Sequence, residues 1–87
     1  MVAKTSGKAK KVTAGAEFWF VGLCVTEVDR KEDGYEYYTM EVVELNILDI
    51  GVGVLCYEVV WKRKETGEII RRNTYTVGGQ FVIEWQE

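Results

Sequence analysis

Hydrophobic and polar residues alternate along most of the chain after residue 17, with the two-residue period that is typical of β-strands. Charged or glycine-containing turns separate the alternating segments, and no segment has the period of a helix of two or more turns. The predicted strands cover residues 17–28, 35–45, 54–64, 68–77 and 80–85, and residues 46–53 form a bent connection or a short extra strand. We therefore expect an all-β fold: a small antiparallel meander of about five strands that forms a barrel or a strongly curled sheet.

The turns between the last three predicted strands fix an expected register. A turn at 64–67 that Gly67 closes sets Lys64 opposite Glu68, and a two-residue turn at Gly78 and Gly79 joins the last two strands as a hairpin. Gly22, in the middle of the first predicted strand, indicates a bulge or a close backbone approach. The expected cross-strand pairs are Trp61 with Arg71, Val59 with Asn73, Tyr57 with Tyr75, Val77 with Gln80 and Tyr75 with Val82.

Both faces of this predicted sheet are apolar. One face carries Leu55, Tyr57, Val59, Trp61, Ile69, Tyr75, Val77 and Val82, and the other carries Val54, Cys56, Val60, Ile70, Phe81, Ile83 and Trp85. A chain this small has one interior, so we expect the second face to be covered by residues 12–16 and 46–53, by a second copy or by another protein. The alternative is a closed barrel with ordinary surface aromatics. The predicted partner-binding residues are Tyr57, Val59, Trp61, Ile69, Arg71 and Tyr75.

Charge is distributed unevenly along the 87 residues. The net charge is −3, yet residues 1–12 contain four lysines and no acid, which leaves seven basic and fourteen acidic residues in the remainder. We therefore predict a flexible basic N-terminal arm and linker over residues 1–16 and a single small β domain over residues 17–87. The arm is suited to phosphates or to an acidic surface, and the alternative is a loose solvated tail.

A second basic cluster lies on the predicted 54–77 hairpin, where aromatic residues are interleaved with it. This arrangement is typical of proteins that bind single-stranded nucleic acid, although Glu58, Glu65 and Glu68 on the same hairpin weaken its field. Trp61 opposite Arg71 is either a surface cation–π pair or part of a binding platform. The candidate nucleic-acid contacts are Lys4, Lys8, Lys10, Lys11, Lys62, Arg63, Lys64, Arg71 and Arg72.

Several kinds of chemistry are excluded or disfavoured by composition. The chain contains no histidine, so it has no Ser-His-Asp or Cys-His arrangement. Cys24 and Cys56 lie in strand-like segments, where buried free thiols are expected ahead of a disulfide, and two cysteines alone do not complete a zinc site. A thin core leaves little room for a deep cleft. We expect no enzymatic activity, no metal and no cofactor.

The sequence contains neither an apolar segment of about 20 residues that would span a membrane nor the apolar core of a signal peptide, so we expect a cytoplasmic protein. The first hypothesis is a non-enzymatic interaction or structural module that self-associates or docks into a larger assembly through a sheet face or edge strand. Small accessory proteins of phages and other compact genomes fit this description. The alternatives are a nucleic-acid-binding small barrel that uses the Lys62–Arg72 hairpin and the basic arm, and an acidic inhibitor of a basic target.

Overall fold

The structure is a computed structural model that describes residues 7–86, and within this range it is all-β, antiparallel and without a helix. Seven strands are present where about five were predicted. Two additional strands arise because the predicted 17–28 strand is divided in two and because part of the predicted basic arm is itself a strand. The strands are β1 (Gly7–Ala14), β2 (Glu17–Phe20), β3 (Cys24–Lys31), β4 (Gly34–Gly51), β5 (Val54–Arg63), β6 (Ile69–Gly78) and β7 (Phe81–Trp85).

The strands form two layers of one open sheet. The larger layer is the meander β3-β4-β5-β6, and the smaller layer is β2-β1-β7, with β1 in the middle. The layers are joined where Gly7 and Lys8 of β1 pair with Ile47 and Asn46 of β4. Among the described strands β6 pairs only with β5 and β7 pairs only with β1, so the sheet is not a closed barrel.

Strand β4 extends through the segment that was expected to be a bent connection. Its pairing with β5 skips one residue between Val42 and Glu44 and another between Ile47 and Asp49. A β-bulge shifts the alternation by one residue and increases the local twist. Met40 and Val42 before the first bulge, and Leu45 and Ile47 after it, are therefore all buried. The bulges allow one long strand to curl around the core.

Gly22 divides the predicted first strand. Its φ of +98° belongs to a region that L side chains rarely adopt, and its amide donates a hydrogen bond to the carbonyl of Val42 at 2.8 Å. The Val42 amide in turn donates to the carbonyl of Leu23 at 2.9 Å. The chain thus pairs with β1 before this corner and with β4 after it. The prediction of a bulge or a close backbone approach at Gly22 is wrong, because Gly22 lies in the corner between two strands and a side chain there would meet open space.

The smaller layer covers the core face of the larger one. The fully buried core includes Leu45, Leu55, Tyr57, Val59 and Trp61 from the large layer and Ala9, Val12 and Ala14 from β1. Partly buried Trp19, Phe81, Ile83 and Trp85 pack against it from β2 and β7. One of the two predicted apolar faces is therefore covered by the chain's own N- and C-terminal strands.

The predicted register is correct over most of one hairpin and wrong in the other. Strands β5 and β6 pair Trp61 with Arg71, Val59 with Asn73 and Tyr57 with Tyr75, as expected. The expected pair of Lys64 with Glu68 is wrong, because a one-residue shift after Trp61 pairs Lys62 with Ile69, and the Arg63 amide donates to the Glu68 carbonyl at 2.8 Å. The predicted pairing of residues 80–85 with the preceding strand is wrong, because β7 pairs with β1, with Phe81 opposite Ala14. Pairing with β1 buries the apolar side chains of β7 against the core, and this burial stabilises the arrangement.

Part of the predicted basic arm also needs correction. Residues 7–14 are not a flexible arm but the middle strand of the small layer, where Ala9, Val12 and Ala14 provide core contacts. Alternation of lysine with small apolar residues over this segment is the signature of a strand with one buried face. Residues 1–6, including Lys4, lie outside the described residues.

Candidate protein-interaction surfaces

Half of the residues predicted to bind a partner lie inside the protein. Tyr57 and Val59 have no exposed surface, and Trp61 is 3% exposed. Trp19 of β2 covers this aromatic cluster, with its ring centroid 5.5 Å from the rings of both Trp61 and Tyr75. Of the six residues predicted to bind a partner, Ile69 alone is exposed, so in this fold the set does not form an accessible surface.

Burial also affects the Tyr57 side chain chemically. Tyr57 stacks on Tyr75 with ring centroids 5.3 Å apart, and its hydroxyl has no hydrogen-bond partner among the described residues. Loss of solvent raises the pKa of Tyr57 to about 12, and the nearby Glu17 carboxylate adds to this shift. The Trp19 side chain offsets part of this shift, and the hydroxyl stays protonated.

The predicted basic cluster is divided between the two faces of the sheet. Arg63 and Arg71 lie on the core side, while Lys62 and Arg72 lie on the outer side, because successive side chains alternate. Lys62 lies 4.0 Å from Glu41, and Arg72 lies 3.9 Å from Glu58. Arg63 lies over the ring of Tyr38 at 4.4 Å, and Lys64 is exposed. These cations do not form one continuous track.

The remaining member of that cluster ties two distant strands together. The Arg71 guanidinium donates two hydrogen bonds to Glu27 of β3, at 3.2 Å and 2.9 Å, and the Tyr38 hydroxyl donates a third at 3.2 Å. The bonds from Arg71 are the main reason that the pKa of Glu27 lies below its usual range. A bidentate pair of this kind fixes geometry as well as energy. It connects the base of the β3–β4 hairpin to β6.

Beyond this tie the β3–β4 hairpin extends away from the core. We call residues 28–37 the projecting hairpin. Every residue in it is exposed, and its strands pair only with each other, since pairing of β4 with β5 begins at Met40. The outer face of the projecting hairpin carries Val28 opposite Tyr37 and the neighbouring Tyr35, which are 53%, 72% and 67% exposed. Large apolar groups are thus displayed on a part of the chain that has no core of its own.

The charges of the projecting hairpin are mostly acidic. Residues 28–37 contain Asp29, Glu32, Asp33 and Glu36 against Arg30 and Lys31. Lys31 lies 3.6 Å from Asp29 and 3.7 Å from Glu36, which neutralises part of the inner face. Glu32 and Asp33 at the turn have no ion-pair partner among the described residues. The tip therefore combines these two carboxylates with exposed tyrosines.

A second surface lies on the outer side of the β2-β1-β7 layer. Two adjoining hollows of about 660 Å³ and 280 Å³ share Lys10, Val21 and Glu84 as lining residues. Together they are lined by Lys10, Lys11, Phe18, Phe20, Val21, Glu84, Trp85 and Gln86, and we call them the basic cleft. It brings two lysines and two phenylalanines together on the surface.

The floor of the basic cleft is formed by aromatic side chains. Phe18 is 47% exposed, and its ring centroid lies 5.4 Å from that of Phe20 in an edge-on arrangement. Lys11 lies 4.8 Å above the Phe18 ring and 3.5 Å from Glu84, whereas Lys10 is exposed and has no ion-pair partner among the described residues. The cleft therefore presents an apolar floor with the Lys10 cation at its edge. The candidate Lys8, by contrast, is held 2.6 Å from Glu44.

Neither surface was predicted from the sequence, although part of each was visible there. The alternation around Tyr35 and Tyr37, next to a charged turn, predicts a strand. That this part of the strand pairs only with β3 is a property of the topology, which the local sequence does not reveal. Phe18 and Phe20 lie two residues apart in β2 and share a face with Lys11 and Thr13, as strand alternation requires. Their exposure depends on β1 and β7 forming a layer, which local sequence does not reveal.

The cysteines and the carboxylates are the remaining side chains with candidate chemistry. Both cysteines are free thiols; Cys56 is half-buried, while Cys24 is exposed, so the prediction that it is buried is wrong. Among residues 7–86 no group of three or more Cys, Asp or Glu side chains converges on a point where a metal ion would bind. The described part of the chain contains no helix long and apolar enough to cross a membrane.

Comparisons of the chain with protein-family models, with curated protein sequences and with solved structures found no match.

Proposed function

We propose that the protein is a non-enzymatic interaction module that assembles with other protein chains through the projecting hairpin. The observation that carries this proposal is that every residue from 28 to 37 is exposed, with Val28, Tyr35 and Tyr37 on one face. Apolar surface displayed in one contiguous patch marks interaction sites, whereas single exposed apolar residues are ordinary.

The stability of the projecting hairpin supports the same function. A two-stranded hairpin without a third strand or a packed face is marginally stable in water. Its anchors to the rest of the described chain lie at its base, in the Glu27–Arg71 pair and the Lys64 amide, which donates to the carbonyl of Thr39 at 2.9 Å. Covering its outer face with a partner would supply the apolar contacts that the chain itself does not provide.

The expected energy is consistent with an interface that needs more than the two tyrosines. Covering two side chains that are two-thirds exposed removes about 200 Å² from water, since a buried aromatic covers about 150–250 Å². At about 25 cal/mol per Å² this contributes about 5 kcal/mol, which is comparable to the entropy cost of association. Val28 and polar contacts around the patch are therefore needed for a stable complex.

Sedimentation of the full chain tests the proposal. We expect the wild-type chain to form species larger than a monomer, or to form a defined complex with a purified partner, and the double variant Tyr35→Ser, Tyr37→Ser to lose this behaviour. The matched control is Val52→Ser, which removes an exposed apolar side chain at the turn after β4. Its association should equal that of the wild type.

The proposal is overturned by either of two results. One is a chain that stays monomeric up to about 1 mM, where the free energy of association is only about −4 kcal/mol, and that forms no partner complex sensitive to the double substitution. The other is association that the Tyr35→Ser, Tyr37→Ser variant retains in full, because the interface would then lie elsewhere on the protein.

A further inference from the structure

The partner of the projecting hairpin can be identified by its chemistry. Resting on the proposed function, we propose that the partner is a second copy of this chain, and that the projecting hairpin of one copy binds in the basic cleft of the next. The two surfaces are different parts of the same protein, so the contact is head-to-tail. Such a contact continues from copy to copy and produces a ring or an open chain.

Charge complementarity is the first argument for this occupant. The tip presents Glu32 and Asp33, which have no ion-pair partner among the described residues, and the cleft presents Lys10, which has none either. Outside residues 1–12 the chain carries twice as many acidic as basic residues. The acidic tip is therefore attracted to Lys10 at this cleft.

Apolar complementarity is the second argument. The projecting hairpin displays Val28, Tyr35 and Tyr37, and the cleft offers the exposed Phe18, with Phe20 and Val21 beside it. Aromatic rings pack favourably edge-on or offset, and the Phe18 ring keeps a free side because it is 47% exposed. A stable interface removes about 600 Å² from each partner, which is about a tenth of the 5851 Å² surface of the described chain.

A symmetric contact between two projecting hairpins is less favourable. The free edge of β3 ends in the charged run Asp29, Arg30 and Lys31, and charged residues on an edge strand oppose edge-to-edge pairing. Face-to-face contact of two hairpins would also bring their acidic turns close together. Neither penalty applies when the hairpin meets Lys10 and Phe18.

A mixing experiment tests the head-to-tail contact. The hairpin variant is Tyr35→Ser, Tyr37→Ser, and the cleft variant is Lys10→Glu, Phe18→Ser. Each variant alone should be monomeric, with association weakened at least 10-fold. An equimolar mixture should form a one-to-one dimer that does not grow further, because one intact cleft and one intact hairpin remain in the mixture. Sedimentation and native mass spectrometry distinguish this dimer from larger species.

Charge reversal supplies a second test. The single variant Lys10→Glu should weaken self-association about 3- to 10-fold, and a compensating Asp33→Lys in the same chain should restore it. Both positions are exposed, so neither change disturbs the core. Far-ultraviolet circular dichroism checks that each variant is folded, and if Phe18→Ser does not fold, Lys10→Glu alone serves as the cleft variant.

The possible outcomes separate this inference from the proposed function. In one outcome the wild type associates through the hairpin, but the two variants remain monomeric when they are mixed. This result overturns the head-to-tail contact and leaves the proposed interaction module in place. A monomeric wild type that uses its hairpin on a different protein also overturns the head-to-tail contact alone. Binding of a short oligonucleotide that Lys10→Glu and Lys11→Glu abolish, without self-association, overturns it in favour of nucleic acid.

Discussion

The two halves of β4 lie in opposite environments although they belong to one continuous strand. Residues 40–47 pair with β5 and contain the buried Met40, Val42, Leu45 and Ile47, whereas residues 34–37 pair only with β3 and are exposed on both faces. Both halves contain large apolar side chains. The comparison shows that the burial of a strand depends on how many strands and layers surround it. The composition of the strand alone does not decide its burial.

The boundary between the two halves is chemically defined. It lies where Arg71 of β6 binds Glu27 of β3 and where Arg63 covers the ring of Tyr38. On one side of this boundary apolar burial stabilises the chain, and on the other side only hairpin hydrogen bonds and short-range ion pairs do. The comparison predicts that equivalent substitutions will have very different effects on the two sides.

The largest difference is expected for aromatic deletions. Trp61→Ala removes a buried side chain and its ring contact with Trp19, and it should lower the free energy of unfolding by about 3–5 kcal/mol. Tyr37→Ala in the projecting hairpin should lower the free energy of unfolding of the monomer by less than about 0.5 kcal/mol. Urea unfolding of both variants measures the two values. Similar losses at the two positions would show that the projecting hairpin has a core of its own.

A smaller effect is expected at the boundary. Arg71→Gln should lower the free energy of unfolding by about 1 kcal/mol near neutral pH, because a bidentate but half-exposed ion pair is lost. The matched control is Lys31→Gln within the projecting hairpin, whose exposed pairs should contribute less than about 0.5 kcal/mol.

The Arg71 effect should depend on pH in a known direction. The folded pKa of Glu27 lies below its usual range, so the stabilisation is fully present above the unfolded pKa of about 4.3 and is lost as pH falls through the lower folded value. The difference between wild type and Arg71→Gln should therefore shrink in acid. A difference that stays constant from pH 7 to pH 3 would mean that Glu27 is not the partner that Arg71 stabilises in solution.

The smallest effect concerns a hydroxyl. Tyr57→Phe should raise the free energy of unfolding by about 0.5–1 kcal/mol, since it removes a buried hydroxyl that has no partner among the described residues. Tyr35→Phe, at an exposed position of the projecting hairpin, should leave stability unchanged. Thermal unfolding of the pair suffices, and a loss of stability in Tyr57→Phe would reveal a partner for that hydroxyl.

Local sequence predicted the parts of the fold that depend on neighbours along the chain. The Gly67 turn predicted the β5–β6 hairpin and its pairs at Tyr57, Val59 and Trp61, although the pair at the turn itself was wrong. A glycine in an otherwise apolar segment marked the place where the chain turns at Gly22. The partner of β7 was missed because a two-residue turn permits a hairpin but does not enforce one. Burial of Phe81, Ile83 and Trp85 against β1 and the core was the stronger effect.

The sequence by itself determined that this protein is an antiparallel β-protein and where most of its strands lie, because alternation and turn chemistry are local properties. Only the tertiary structure decided which apolar face is covered, where β7 pairs and which part of β4 has no core. These features depend on contacts between residues far apart in the chain, and burial is a property of all the strands together. The interaction surfaces follow from these tertiary contacts, so the proposed function depends on which residues the packed layers leave exposed.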